Sequence, residues 1–565
     1  MSLFEDILTV RGYTGSARDQ FLSPDYEKRH DPFLLPDMQA AVDRLVLARQ
    51  SNEKIVIYGD YDIDGLTATT VLLDAFESFG FTNLDAFIPN RFVEGYGLTL
   101  GAVEQIAGMN ASLIVTVDCG SLSEKEIIRA KELGMDVIVT DHHNVAPVQP
   151  PAVAVINPKR LLMDYPDEYQ NYLLKPDSKK RGKIYPFLDL PGVGVAFKLV
   201  QALQTKLAGL EYGQEKWLLD LVALGTVCDV VTLVDENRVH VYWGLKVLPK
   251  TRRQGLKALM AVAAVEPEKV NARHLGFGLG PRMNAAGRLE TAQYALDMLR
   301  AQDSMLAYEK AQQLDTLNVV RRSDQDKIYK AALLQAEQYA GDPVLVVSHP
   351  DWSHGIIGIV AAKLLEKFKK PTYVLQEMGE ESKGSARSYG DFSAADAIRA
   401  ADDIITKGGG HKLAAGVTLP TKNIPLFRQR VNEFYRSQNL FNQEALLLPR
   451  EDVVLRDFVE VHEELLAQLA LLEPFGNGNP EPVLKVTGVL VTNQRRMGAD
   501  AQHVKLELQD ANRHKLQFLA FNAPEHFFVE PGEYVTVWFQ PTLNEWQGRR
   551  SVEGRLLHLE HDLTQ

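Results

Sequence analysis

The stretch Lys54-Ile55-Val56-Ile57-Tyr58-Gly59-Asp60-Tyr61-Asp62-Ile63-Asp64-Gly65 decides how this chain is read. A short β-branched run ends and carboxylates begin. The same event recurs at Val115-Thr116-Val117-Asp118-Cys119-Gly120 and at Val137-Ile138-Val139-Thr140-Asp141-His142-His143. A further segment, Gly225-Thr226-Val227-Cys228-Asp229, closes another apolar stretch with an acid. The first three runs predict strands, and in open α/β sheets the carboxyl ends of strands line one crevice. Six acids and two histidines would gather there. Carboxylates sharing a crevice repel unless cations sit between them, so the cluster asks for metal.

The spacing carries the chemistry. Asp62 and Asp64 flank one residue and share a face if the segment is extended, while Gly65 lets the chain turn sharply into a helix. Asp118 comes from a neighbouring strand end, His142 offers a nitrogen and Asp229 a further oxygen. Oxygen and imidazole donors without thiolate suit Mn²⁺ or Mg²⁺ better than structural zinc. Two such ions about 3.5–4 Å apart would clamp a phosphodiester for in-line attack. Any one of these aspartates alone reads as a turn former or helix cap. Several segments ending alike favour metal.

Strands and helices alternate from about residue 51 to 160, which predicts a parallel sheet covered by helices. Residues 1–50 read as an irregular arm followed by a helix from about Asp37 to Gln50. Residues 160–186, with Lys179-Lys180-Arg181, read as a surface insertion within a first domain of 51–300. A long helix is expected from about Asp303 to Ala340, within a 301–341 connector. A second α/β domain follows at 342–445. Five strand-like runs in 446–565 predict a small OB-like barrel. On that barrel Phe518, Phe521, Trp538 and Trp546, with nearby Arg and Lys, are candidates for stacking bases, although alternation places many of these aromatics in the core. Trp546 is favoured, in a loop read as exposed.

The chain has 565 residues, a net charge of −13 and 45% hydrophobic content. The acidic balance argues mildly against a nucleic-acid binder, but the acids of the cluster are charge that metals would offset. Two cysteines, Cys119 and Cys228, give no disulfide framework and fit a reducing cytosol. No apolar run reaches membrane-spanning length, and a monomer is the expected state.

The triplet Asp141-His142-His143 and its companions resemble the DHH phosphoesterase superfamily, and within it the RecJ-type exonucleases. Supporting strings are Pro89-Asn90-Arg91-Phe92-Val93-Glu94-Gly95-Tyr96-Gly97-Leu98 and Gly280-Pro281-Arg282-Met283-Asn284-Ala285-Ala286-Gly287-Arg288. Gly408-Gly409-Gly410-His411-Lys412-Leu413-Ala414-Ala415-Gly416 matches the DHHA1 type of second domain. The resemblance implies an α/β fold: a DHH parallel-sheet domain, a long connecting helix, a DHHA1 domain and a C-terminal OB-like barrel. It implies a single-strand-specific 5′→3′ DNA exonuclease of repair and recombination, with single-strand binding protein and a helicase as partners.

Residue by residue, it implies that Asp62, Asp64, Asp118, His142 and Asp229 hold two Mn²⁺ or Mg²⁺ ions, with Asp118 bridging and Asp60 a further acid. His143 would meet the scissile phosphate beside Asp141. Arg91 would sit near the 5′-phosphate, and Arg282, Asn284 and Arg288 would line the strand path. His354, Arg387, Gly409, Gly410 and His411 would face it from the second domain. An enzyme of oligoribonucleotides or cyclic dinucleotides is the first alternative, and such enzymes usually lack the barrel. A non-catalytic replication module is the second, and it would need missing ligands.

Overall fold

Three sheets organise the computed structural model, which describes residues 2–95, 97–174, 184–440, 443–546 and 548–562, with only the backbone of 171–174, 443–444 and 546. The chain forms two units, residues 30–231 with 243–447, and residues 1–29 with 232–242 and 448–565.

In the larger unit β1 (Ile55–Gly59), β2 (Leu84–Phe87), β3 (Leu113–Val117), β4 (Asp136–Thr140) and β5 (Ala154–Ile156) form a parallel sheet in the order β2-β1-β3-β4-β5. Strands β1 and β3 are buried along their whole length, which explains their unbroken apolar runs. Val56, Tyr58, Ile114, Val137 and Val139 pack against helices Leu100–Gly108 and Glu124–Glu132. The helix Ile63–Ser78 leaves β1 and packs on helices Gly192–Leu203 and Leu219–Cys228. Strand order reverses between β1 and β3, the switch point at which such sheets bind ligands.

The long helix spans Ser304–Gln338, with Asp303 accepting the Leu306 N–H at 2.9 Å. It packs on helices Gln254–Val262, Gly280–Leu289 and Gln293–Arg300. Further along, its Ile328, Ala332 and Ala336 join the core formed by Leu345, Trp352, Val360 and Leu364. A second sheet follows: β6 (Leu345–His349), β7 (Thr372–Met378), β8 (Glu381–Arg387), β9 (Lys407–Gly410) and β10 (Ala414–Pro420), ordered β6-β7-β8-β10-β9. Only β6 and β7 are parallel in it.

The insertion is not wholly superficial. It carries helices Leu161–Asp164 and Pro166–Leu174, and Tyr169 and Tyr185 are buried. Two aromatic side chains inside a polar, proline-broken stretch left no period to read. Lys179-Lys180-Arg181 lie outside the described residues.

In the smaller unit β12 (Leu484–Met497), β13 (His503–Gln509), β14 (Lys515–Ala520), β15 (Tyr534–Trp546) and β16 (Arg549–His561) close into a barrel through β12–β15 pairing, with β11 (Val453–Val454) added at β12. The first residues are not an irregular arm. Helices Leu3–Val10 and Gly15–Leu22 place Leu3, Phe4, Ile7, Leu8 and Phe21 in the barrel's apolar core. An eight-residue amphipathic helix is too short to be stable alone, and packing makes it. Phe518 and Trp538 are buried, and Phe521 is exposed. Asn544, Glu545 and Trp546, read as part of a loop, continue β15 instead, with Trp546 paired to Arg549 on β16. The Trp546 side chain lies outside the described residues. No helix among the described residues is long and apolar enough to cross a membrane.

Candidate active site

Three strand ends of the parallel sheet deliver the acids. Asp60 follows β1, Asp118 follows β3 and Asp141 follows β4; Asp229 instead caps the helix Leu219–Cys228. Asp62 caps the helix Ile63–Ser78, its Oδ1 accepting the Asp64 and Gly65 N–H groups at 3.0 and 3.2 Å. A side chain at Gly65 would strike the Asp60 backbone, so only glycine lets the chain turn so tightly. Asp118 has φ 61°, a left-handed conformation that costs free energy in a non-glycine residue and is held by the surrounding fold.

Asp64 accepts the Gly192 N–H at 2.6 Å and the Val193 N–H at 2.8 Å, at the start of the helix Gly192–Leu203. Gly192 is more than a helix-start turn: a Cβ there would lie 2.6 Å from the Asp118 Cβ. The positioning of both acids by this glycine was not read from sequence, where Pro191-Gly192-Val193-Gly194-Val195-Ala196-Phe197 supports the family resemblance but Gly192 and Gly194 are most simply a helix-start turn.

Three groups of ligand atoms lie within 4.8 Å of one another: Asp64, His142 and Asp229; Asp60, Asp62 and Asp118; and Asp118, His142 and His143. Asp118 and His142 each belong to two groups. His142 Nε2 stands 3.1 Å from Asp118 Oδ1, 3.6 Å from Asp229 Oδ2 and 3.7 Å from Asp64 Oδ2. Yet Asp60 Oδ1, Asp118 Oδ1, His142 Nε2 and Asp229 Oδ2 are buried without a hydrogen-bond partner among the described residues. Buried polar atoms are rarely left so. Burial, then neighbouring carboxylates, push Asp60, Asp64, Asp118 and Asp229 above the usual carboxylate range. Burial, then His143, drops His142 to about 3, so its imidazole is neutral and a nitrogen lone pair is free. Oxygens and an imidazole converging with no hydrogen-bond donor of the described residues between them fit divalent cations such as Mn²⁺ or Mg²⁺, which would displace the protons the crowded carboxylates hold.

Asp141 is differently employed. Its Oδ1 accepts the His142 and His143 N–H groups at 2.7 and 3.0 Å and faces His143 Nδ1 at 2.9 Å, and its Oδ2 accepts the Ser121 N–H at 3.0 Å. Burial opposes its charge, but the His143 hydrogen bonds and the charges of His143 and His142 together outweigh that and hold its carboxyl well below the ordinary range. In return, burial of His143 is outweighed by Asp141 together with Asp60 and Asp62, and the imidazole pKa is raised.

Cations gather beside the acids. Arg91 lies over the Tyr61 ring at 4.3 Å, and its Nε is buried without a partner among the described residues. Arg288 donates to the Gly355 carbonyl at 3.0 Å, joining the first domain to the second. Arg387 donates to Ser385 Oγ and the Ala386 carbonyl at 3.2 and 2.8 Å. Burial, then Arg91, Arg321 and Arg387, lower Arg288 to about 10. Arg282 differs, since it is paired with Asp315 at 2.8 Å, and Asn284 is half-buried on the same helix. His354 holds Gln376 through Nδ1 at 2.8 Å, stacks edge-on to Phe92, and keeps a buried, unbonded Nε2. Gly409 and Gly410 lie on the exposed edge strand β9, and His411 Nδ1 stands 3.4 Å from the amide of Asn144, next to His143.

Comparison with known proteins agrees. The DHH family, N-terminal domain model matches residues 54–226, the DHHA1 domain model 341–437 and the RecJ OB domain model 454–558. The single-stranded-DNA-specific exonuclease RecJ of Escherichia coli (strain K12) is 33% identical over 92% of this chain and 89% of its own length. The chain belongs to the RecJ family. The RecJ of Bacillus subtilis (strain 168) is 36% identical over 98% of this chain and 67% of its own. The crystal structure of RecJ from Thermus thermophilus in complex with Mn²⁺ superposes with a TM-score of 0.80 at 28% identity, covering 99% of this chain and 76% of that one.

Proposed function

We propose that this chain is a metal-dependent exonuclease that hydrolyses single-stranded DNA from the 5′ end to 5′-mononucleotides, in repair and recombination. The observation that carries the reading is the buried, unbonded donor set of Asp60, Asp118, His142 and Asp229 beside arginines that lack acidic partners among the described residues. Asp62, Asp64, Asp118, His142 and Asp229 would hold two divalent cations, with Asp60 a further acid. When bound, the metals supply Lewis-acid polarisation of the phosphate and a more acidic water.

The remaining work falls to the chain's own residues. Asp141 fixes the His143 ring through Nδ1 and favours its protonated form, in which Nε2 can donate to charge developing on the phosphate or the leaving oxygen. Arg91 and Arg387 suit a terminal phosphate, which accepts an arginine fork. The Arg288–Gly355 and Asn144–His411 approaches bring the second domain over the site, which favours a flexible single strand over duplex. Single-strand binding protein and a helicase would present that strand to a monomer in the cytoplasm.

The test is degradation with Mn²⁺ of single-stranded DNA labelled at the 5′ or the 3′ end, with Asp118→Ala as control. Immediate release of labelled mononucleotide from the 5′-labelled strand is expected, with a loss of about 10³-fold in the variant. Intact DNA with consumption of short RNA or a cyclic dinucleotide would move the chain to the small-substrate branch.

A further inference from the structure

The long helix Ser304–Gln338 is buried along one stripe, but the stripe changes character midway. Ala307, Ala311, Leu314 and Leu317 precede the change, and Ile328, Ala332 and Ala336 follow it. Between them the buried positions are Asn318, Arg321 and Gln325. An apolar residue at each would have continued the packing, so the polar interruption coincides with the passage of the helix from one domain to the next.

Arg321 is only 9% exposed, and among the described residues its guanidinium pairs with no carboxylate. Nη1 donates to Gln325 Oε1 and Nη2 to Asn318 Oδ1, each at 2.6 Å. The acids nearest in sequence form their ion pairs elsewhere, Asp324 with Lys327 at 3.0 Å and Asp326 with Lys363 at 3.2 Å, so Asp326 attracts the Arg321 guanidinium without pairing with it, while burial and Arg322 oppose its charge more strongly. Two amides orient the fork without neutralising it, and of the five N–H groups an arginine carries, two are used in these bonds. A buried cation with no ion-pair partner is costly unless an anion arrives to pair with it. Arg321 also acts electrostatically on Arg288, so the two belong to one positive field together with Arg91 and Arg387.

We propose that Arg321, aimed by Asn318 and Gln325, is a backbone-phosphate contact of the bound strand, placed where the long helix passes between the two domains. This inference rests on the single-stranded DNA reading above. It adds a binding residue contributed by the connecting helix rather than by either domain's motifs.

The test is binding of a 5′-phosphorylated oligothymidine to the full chain in EDTA, followed by fluorescence anisotropy over a salt series. Losing one phosphate contact on a single strand lowers the magnitude of the log K against log salt slope by about 0.7. Arg321→Gln is expected to do this and to weaken binding about tenfold or more. Arg321→Lys keeps the charge but not the fork, so it should hold the slope while affinity falls. A wild-type slope in Arg321→Gln overturns the inference, as does wild-type affinity in Arg321→Lys. If Arg321→Gln fails to fold, Arg321→Lys and Gln325→Ala carry the test, because loss of aim must weaken binding without lowering the melting temperature. Wild-type protein that binds no single-stranded DNA would overturn the functional reading and this inference with it. Wild-type binding that is insensitive to Arg321 overturns this inference alone.

Discussion

Asp457, Asp510 and His514 in the barrel unit bring ligand atoms within 4.8 Å of one another, as do Asp64, His142 and Asp229 beside the parallel sheet. By residue type the two groups are interchangeable. Their hydrogen bonds separate them. Asp510 Oδ1 accepts the His514 N–H at 2.9 Å and Oδ2 accepts the Phe458 N–H at 2.8 Å. Asp457 accepts the Val459 N–H at 3.1 Å and the Asn512 amide at 3.2 Å. Every carboxylate oxygen there accepts a hydrogen bond. At the sheet, Asp118 Oδ1, Asp229 Oδ2 and His142 Nε2 are buried without a hydrogen-bond partner among the described residues. Burial raises the Asp510 pKa, but those N–H donors overcome it and the carboxyl ends below its ordinary range, whereas Asp118 and Asp229 end above theirs. Ligand spacing alone therefore does not mark a metal site, and unspent lone pairs in a buried cluster do.

The largest expected effect tests whether geometry limits the sheet cluster. Gly192→Ala places a Cβ against Asp118 while loading the N–H that Asp64 accepts. A displacement near 1 Å costs about 10²-fold in rate. We expect kcat on single-stranded DNA to fall by about that factor at saturating Mn²⁺, with the barrel unit's melting unaffected. Full activity in this variant would mean that the acids tolerate displacement and that the close approach is incidental.

Two asparagine substitutions then sharpen the contrast through opposite signs. Asp510→Asn in metal-free protein turns one acceptor into a donor facing N–H groups and should destabilise by about 1–3 kcal/mol. Asp118→Asn removes a repelled, desolvated carboxylate, and asparagine accepts the left-handed backbone as readily as aspartate, so its metal-free melting point should rise. Adding Mn²⁺ to 100 times its Kd should stabilise the wild type by about 2.7 kcal/mol and the Asp118→Asn variant far less. Two losses of stability in EDTA would erase the distinction between the clusters.

Much of this was legible in the sequence because the relevant signals are local. Strands β1, β3 and β4 announce themselves as β-branched runs ended by acids, and the long helix as a proline-free stretch with a periodic stripe. The unread parts depend on distant partners. Leu3, Phe4, Ile7 and Leu8 form a helix face only because the barrel core receives them. Gly192 matters through Asp118, which lies far from it in the chain. Arg282 looked like a strand-path cation, but Asp315 one helix away engages it. Arg321 did leave a trace, a charged residue on a buried stripe, visible once burial rather than composition defines the stripe.

The smallest expected effect is the pH dependence of metal-free stability. Burial, then Asp62, pushes Asp60 up to about 8 and Asp64 to about 7, while an unfolded aspartate titrates at about 3.9. The folded state thus holds protons that the unfolded chain has released, and stability is lost as pH rises through 7 to 8. His143, raised by Asp141, works in the same sense. His142, lowered to about 3, works in the opposite sense, but only below the ordinary histidine range. The clean window is therefore about pH 6.5–8.5. Asp510 contributes nothing there, because its lowered pKa gives stability that is lost only in acid, as pH falls through its folded value. Calorimetry in EDTA should show the melting transition of the larger unit moving down across that window while that of the barrel unit stays level. Mn²⁺ should abolish the slope, since cations take the place of the protons. A transition that instead climbs with pH in EDTA would mean that the cluster's carboxylates are already ionised and compensated, and its likeness to the Asp510 group would be restored.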